Sequence, residues 1–450
     1  MHKCATKISF KMIKLIFFLF FVVKTESANI LCVFPTPAYS HQSVFNVYMD
    51  KLVDYGHNVT VITPVPRRVS HLKEIIVPNN TFEQLVNNSA MVVKEDSVTA
   101  EKYTPLIDMV AEQFASENVS KLVSSDTKFD LVVCEAYLTL PLVFGHVFQA
   151  PTIRFSSGYG TNENFYTMNK NGVDFNSVMY PNMWRSGNFG STNDFYIENR
   201  LDEEWTALER VQDEKAKKLF GNYVPPLKVL AERNALLFVN VPAVLDNNRP
   251  VGDNVQYLGG LHLSKRSNPL RNYELGRHKN VVYVSFGSVA TVFDNDTMTE
   301  MVRVFNSLPY TVYWKTNDRS DLGKNILTRK WFPQRELLNY GNIKLFITQG
   351  GVQSTSESIE AGVPMLVLPL MGDQFYNAHR LVQLGVAETV DILGLKNIQL
   401  ENKIIHMMTN TKYAEQTKKL KQVINDLAMK SYRRAIWYTN RVLRFKMKTL

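Results

Sequence analysis

The residues best suited to chemistry in this 450-residue chain fall in two places, a histidine near the start and a polar stretch between Trp331 and Gln374. His41 follows an apolar run, Asn29–Phe34, across a loop with two prolines, and opens an amphipathic segment. Imidazole titrates near neutrality, so a histidine at such a loop can take a proton from a reacting hydroxyl. A histidine that merely caps or decorates a helix start has the same signature. In the second stretch Ile343–Thr348 is apolar and runs into Gln349, Gly350 and Gly351; Val352–Glu360 then predicts a helix closed by Ala361 and Gly362. The paired glycines allow a tight turn, so the helix begins with its unpaired amide donors facing outward. Such a start attracts phosphate through those N–H groups and the positive end of the helix dipole. Gln353 and Glu357 stand four apart and share a helix face, with Ser354 beside them. A carboxylate one turn below a phosphate site suits ribose hydroxyls. An ordinary strand–helix–strand unit with a polar helix would carry the same spacing.

The elements that must position these groups alternate along the chain. Asn29–Phe34 and Val59–Thr63 predict strands, and His41–Tyr55 predicts a helix between them, with Val44, Phe45, Tyr48 and Leu52 at helical spacing. Phe129–Cys134 and Ala235–Asn240 are further buried strands, and the pattern restarts at Asn280–Ser288. Val363–Met371 predicts a core strand that delivers Met371–Gln374 at its carboxyl end. Alternating strands and helices argue for α/β architecture with parallel, doubly wound sheets. The polar segment Ser264–Asn272 divides the chain, giving a first domain over 28–262, a linker over 263–279 and a second domain over 280–430. Between Phe155 and Phe195 the chain turns aromatic, with Tyr159, Phe165, Tyr166, Phe175, Tyr180, Trp184 and Phe189. Such residues line an apolar pocket or fill a core equally well.

Bulk properties narrow the class. Apolar residues at 45% and charged residues at 21% describe a globular protein large enough for two cores. The net charge of +9 is spread along the chain, and no basic patch interleaved with aromatics argues for nucleic acid. Residues 1–27 have the layout of a secretory signal: Lys3, Lys7, Lys11 and Lys14, then apolar Leu15–Val23, then small Thr25 and Ser27. No later segment has the length of a membrane span, so the expectation is a secreted product without a membrane anchor. Cys4 leaves with the signal, and Cys32 and Cys134, inside strand-like runs, are expected as free buried thiols. Sequons begin at Asn58, Asn79, Asn87, Asn118 and Asn295 and fit that route. Nothing in the sequence sets an oligomeric state.

Taken together, Trp331-Phe-Pro-Gln334, Phe346-Ile-Thr-Gln-Gly-Gly351, Ser354, Glu357, Gly362-Val-Pro364 and Asp373-Gln374 resemble the donor-binding signature of the UDP-glycosyltransferase family. Gln349 stands where most of that family has histidine, and the chain is most similar to its baculoviral ecdysteroid branch. The resemblance implies a GT-B fold, two Rossmann-like domains facing a cleft, with residues 431–450 crossing back to the first domain as a helix. It implies transfer of glucose from UDP-glucose, a co-substrate, to an ecdysteroid hydroxyl with inversion, and neither cofactor nor metal. His41 would be the base, and Glu135, where the family has aspartate, would stand behind it. Asp130, at the other end of that strand, belongs to the opposite edge of the sheet. Trp331 would stack on uracil, Gln334 would read the base or ribose, and Glu357 would take the ribose hydroxyls. Ser288, Gly351 and Ser354 would donate to the diphosphate, and Asp373 and Gln374 would hold the sugar.

Two positions depart from the family pattern: Gln349 donates a hydrogen bond but carries no charge, and Lys315 replaces the usual arginine without its fork. The acidic pair of Asp294 and Asp296 resembles the metal motif of another glycosyltransferase fold, but its place before a predicted helix reads better as a solvated helix start. A secreted protein that sequesters a sterol or nucleotide sugar is the alternative, as is the same chemistry with UDP-galactose or a phenolic acceptor.

Overall fold

The structure is a computed structural model that describes residues 27–79, 99–169, 180, 194–264, 275, 277–287, 293–316, 322–391 and 397–445. The expected signal up to residue 26, Ser288, the Asn87 sequon, Phe175, Trp184, Phe189 and most of the expected linker lie outside the described residues.

Two parallel sheets carry the chain. The first contains β1 (Asn29–Val33), β2 (Asn58–Thr63), β3 (Lys73–Ile76), β4 (Leu131–Glu135), β5 (Thr152–Ser156), β6 (Leu236–Val239) and β7 (Val255–Tyr257), in the order β3-β2-β1-β4-β5-β6-β7. The second contains β8 (Val281–Ser285), β9 (Thr311–Lys315), β10 (Ile326–Arg329), β11 (Ile343–Thr348), β12 (Met365–Val367) and β13 (Ala387–Thr389), in the order β10-β9-β8-β11-β12-β13. Both repeat the doubly wound pattern in which the order reverses beside the first strand. Helices cover both faces, so the central strands are apolar on both sides. Along β1, Ile30 and Cys32 face one buried cluster while Leu31 and Val33 face another, the period-two alternation of a strand buried twice. Cys32 and Cys134 are buried free thiols.

Four helices matter for the site: α1 (Tyr39–Asp54), α2 (Val352–Ala361), α3 (Gln374–Gln383) and α4 (Ser431–Phe445). The last returns to the first sheet. Ala435, Ile436 and Val442 of α4 join the apolar cluster of Phe45, Tyr48 and Leu52. Thr439 Oγ1 lies 2.7 Å from Tyr48 Oη, and Asn440 Oδ1 lies 2.9 Å from His57 Nε2.

Several boundaries differ from the sequence expectation. The strand expected over Val363–Met371 pairs only at Met365–Val367, because Pro364 and Pro369 lack the amide donors a longer ladder needs. Helix α1 starts at Tyr39 rather than His41, and Glu135 closes β4 instead of following it. Asp130 lies at the opposite end of β4, where its carboxylate accepts from the Asn29 amide at 2.8 Å. Asp294 caps the helix Asn295–Ser307 by accepting from the Thr297 amide at 2.7 Å, the solvated helix start anticipated for that acidic pair.

Candidate active site

In an open parallel sheet the crevice lies beyond the carboxyl ends of the strands where the order reverses. In the first sheet that point lies between β1 and β4, and it holds His41 and Glu135. The loop from β1 is held by Gln42, whose side-chain amide donates to the carbonyls of Phe34 at 3.1 Å and Thr36 at 2.7 Å. Gln113, fully buried, donates to the Pro35 carbonyl at 3.1 Å. A loop fixed at three carbonyls presents His41 in one place. Glu135 is 2% exposed, and its Oε1 lies 2.5 Å from His41 Nδ1. Its other oxygen accepts from the Thr36 amide at 3.2 Å. A buried carboxylate so held keeps the imidazole proton on Nδ1, which leaves Nε2 as the basic nitrogen. The Tyr137 ring meets His41 edge-on, with centroids 6.0 Å apart.

The matching crevice in the second sheet lies between β8 and β11. Gly350 turns there with φ of +86°, and a Cβ would sit 2.7 Å from Val367, so only glycine fits. Asn377 of α3 donates to the Gly350 carbonyl at 2.7 Å and fixes the turn. Gly351 is the N-cap of α2 and supplies no side-chain cap, so the first amides of the helix remain available to an anion. Lys315 Nζ donates to the Gly287 carbonyl beside Gln349 and lies 4.7 Å above the centre of the Trp331 ring. Burial pulls that ammonium below its usual pKa.

Trp331 is 54% exposed, unusual for an indole, and offers a flat apolar surface at the mouth of this crevice. Beside it Gln334 organises a polar cluster: its Nε2 donates to Ser354 Oγ at 2.9 Å and to Glu357 Oε2 at 2.8 Å. Tyr283 Oη donates back to Gln334 Oε1 at 3.2 Å. Burial pushes the Glu357 carboxyl up to about 7, against the opposing pull of Gln334 and Arg335.

Asp373 and Gln374 stand at the start of α3. Gln374 Oε1 accepts from the amides of Leu370 at 2.9 Å and Met371 at 3.1 Å, which shapes the loop below it. Asp373 accepts from Asn377 at 3.1 Å. Burial pushes its carboxyl up to about 6, while Asn377 and the His41 charge act in the opposite direction. Contacts between the domains, Tyr39 with Trp331 and Gln353 with Ser157, set the two crevices facing one another.

The expected residues that are described therefore gather on both sides of one cleft, with two differences in detail. Gln353, expected to face the donor, directs its Nε2 to the Ser157 carbonyl of the first domain at 3.0 Å. Tyr159 and Phe165 are 5% and 1% exposed and are core residues rather than an open pocket wall: Tyr159 packs edge-on against Tyr376 of the second domain, and Phe165 lies under the Arg249 guanidinium of its own domain. Sequence reasoning missed Gln42, which holds the loop six and eight residues before it, and Tyr283 and Asn377, whose contacts with Gln334 and Gly350 lie 51 and 27 positions away. It also missed Tyr39, two residues before His41, whose ring meets Trp331 edge-on with centroids 5.5 Å apart. Its place at the head of α1 was the one available signal. The arrangement suits group transfer: a base on one wall, and on the other an anion site flanked by a flat ring and hydroxyl acceptors.

Comparison with known proteins gives the same picture. The family model described as UDP-glucoronosyl and UDP-glucosyl transferase matches residues 29–448. The ecdysteroid UDP-glucosyltransferase of Lacanobia oleracea granulosis virus is 47% identical over 440 residues, covering 93% of this chain and 95% of that one. The protein of the same name from Autographa californica nuclear polyhedrosis virus is 39% identical, covering 94% and 89%. Among solved structures, the kitacinnamycin glycotransferase superposes with a TM-score of 0.66 at 19% identity, over 92% of this chain and 99% of that one. A Polygonum tinctorium UDP-glucosyltransferase gives 0.65 at 15%, over 93% and 98%. At such identities these structures establish the fold, which is GT-B.

Proposed function

This chain belongs to the UDP-glucuronosyl and UDP-glucosyl transferase family and moves a sugar from a UDP-sugar to an acceptor; from that premise we propose that the sugar is glucose and the acceptor an ecdysteroid hydroxyl. The relatives named for that reaction, similar over nearly their whole length, support the choice of substrates. The observation that carries the chemistry is the 2.5 Å contact between His41 Nδ1 and buried Glu135 opposite the uncapped start of α2.

In this reading His41 Nε2 takes the proton of the acceptor hydroxyl as its oxygen attacks the anomeric carbon. The bond from that carbon to the diphosphate oxygen breaks on the opposite face, so an α-linked donor yields a β-glucoside and UDP. Glu135 stabilises the imidazolium that forms. The free amides of α2, Lys315 and the Ser288 hydroxyl meet the charge of the departing diphosphate, without a metal or other cofactor. Trp331 stacks on uracil, Gln334 and Glu357 hold the ribose, and Asp373 and Gln374 hold the glucose. The basic and apolar first residues direct the protein to secretion, where the reaction would inactivate an ecdysteroid hormone.

The test incubates the secreted protein with ecdysone and UDP-glucose in the presence of EDTA and follows the product by mass. A hexoside of the steroid, lost in His41→Ala with UDP binding retained, supports the donor, the acceptor, the metal independence and His41 as base. UDP-glucose bound with no product from ecdysone overturns the acceptor assignment and favours another acceptor first and sequestration second.

A further inference from the structure

We propose that Tyr376 and Asp246 form a reversible latch between the two domains that positions the sugar-holding end of α3 against His41. This rests on the UDP-sugar transfer proposed above. Asp246, 1% exposed, lies in the 3-10 turn Ala243–Asp246 of the first domain. Its Oδ2 accepts from Arg249 Nε at 3.1 Å and from the Tyr257 hydroxyl, both in the same domain. Its Oδ1 accepts from the hydroxyl of Tyr376, on α3 of the second domain, at 3.0 Å. Tyr376 is itself 3% exposed and meets Tyr159 of the first domain edge-on, with centroids 5.0 Å apart. One turn further along α3, Arg380 donates to the Val244 carbonyl at 2.9 Å.

Tyr376 lies three residues after Asp373, two after Gln374 and immediately before Asn377, the side chain that fixes Asp373 and the Gly350 turn. A displacement of α3 therefore moves the sugar-holding pair and the phosphate turn together, relative to a base anchored in the other domain. The chemistry of the latch also suits repeated opening. Arg249 and Tyr257 keep the Asp246 charge paired when Tyr376 withdraws, so separating the domains strands no unpaired buried charge. Stacking of the Arg249 guanidinium on Phe165, 4.2 Å from the ring centre, holds that half in place. Tyr376 and Asp246 thus act as positioning residues, through α3, without touching the reacting atoms.

The test is Tyr376→Phe, which removes one hydroxyl and preserves the ring. Uridine and phosphate recognition lies within the second domain, so UDP affinity should stay within about twofold of wild type. The rate constant kcat per UDP-binding site should fall roughly tenfold to a hundredfold, the cost of misplacing reacting groups by about an ångström. A purely structural hydroxyl would instead lower the melting temperature and the number of UDP sites, with kcat per site unchanged. That result, or wild-type kcat throughout, overturns the latch. Absence of transfer by the wild-type protein would instead strike the reaction assignment, so the two failures are distinguishable.

Discussion

Glu135→Gln removes the charge beside His41 while keeping the size of the side chain, and it tests the proposed catalytic pair directly. The amide can still accept from the Thr36 backbone N–H, so the loop should survive. What changes is the partner of Nδ1, which lies 2.5 Å from a carboxylate that is 2% exposed. With charge centres about 4 Å apart and an effective dielectric near 20, the lost attraction for a full imidazolium is about 4 kcal/mol. At about 1.4 kcal/mol per decade this is a drop in kcat of up to roughly a thousandfold. Because His41 is 24% exposed and proton transfer is partial in the transition state, a loss of about a hundredfold to a thousandfold is expected. An amide that turns its NH2 toward Nδ1 also places the imidazole proton on Nε2, where no base remains. The assay is the initial rate of glucoside formation at saturating UDP-glucose, with UDP affinity by calorimetry and the melting temperature on the same samples. UDP binding should be unchanged. A variant within about fivefold of wild-type kcat, folded and binding UDP, refutes the assignment of Glu135 to the imidazolium.

Trp331→Ala should weaken uridine binding roughly tenfold to a hundredfold, since base stacking on an aromatic face contributes about 1–3 kcal/mol; Trp331→Phe should retain much of it, and equal affinity in all three proteins would exclude stacking on this ring. Burial raises the Glu357 carboxyl to about 7, above its unfolded value, so its contribution to stability is fully present below the usual glutamate range and is lost as pH rises through 7. Ribose hydroxyls prefer the ionised acceptor, so uridine, which has no titrating phosphate, should bind more tightly up to about pH 7 and level off above it. Glu357→Gln should remove that pH dependence, and calorimetry showing a flat profile for the wild type would discard the ribose role. Gly350→Ala forces a side chain onto φ of +86° and against Val367, at an expected cost of about 1–3 kcal/mol. Thermal unfolding should register it as a fall of several degrees, whereas an unchanged melting temperature would mean that the turn relaxes.

Much of the architecture was legible because it follows from local rules. The apolar runs of β1, β4, β8 and β11 are short and dense, and the glycines after β11 admit few other readings. Legibility failed where local and tertiary demands diverge. Val363–Met371 has strand composition throughout, yet its two prolines leave three residues to pair. Gln353 shares a helix face with Glu357, but the approach of the first domain takes its amide to Ser157. Tyr159 and Phe165 suited a pocket wall or a core equally by composition, and only their packing against Tyr376 and Arg249 made them core.

The sequence by itself determined the alternation of strands and helices, the paired-glycine turn ahead of α2 and the identities of the groups able to do chemistry. Side-chain type, glycine freedom and apolar period are properties of a few neighbouring residues, so they survive without a fold. Only the tertiary structure decided that Nδ1 of His41 meets a carboxylate 94 positions away and that Gln334 bridges Ser354 and Glu357. It alone joined Tyr376 to Asp246 across 130 positions. These contacts depend on the order in which parallel strands assemble and on how two domains close, which no short stretch of chain encodes.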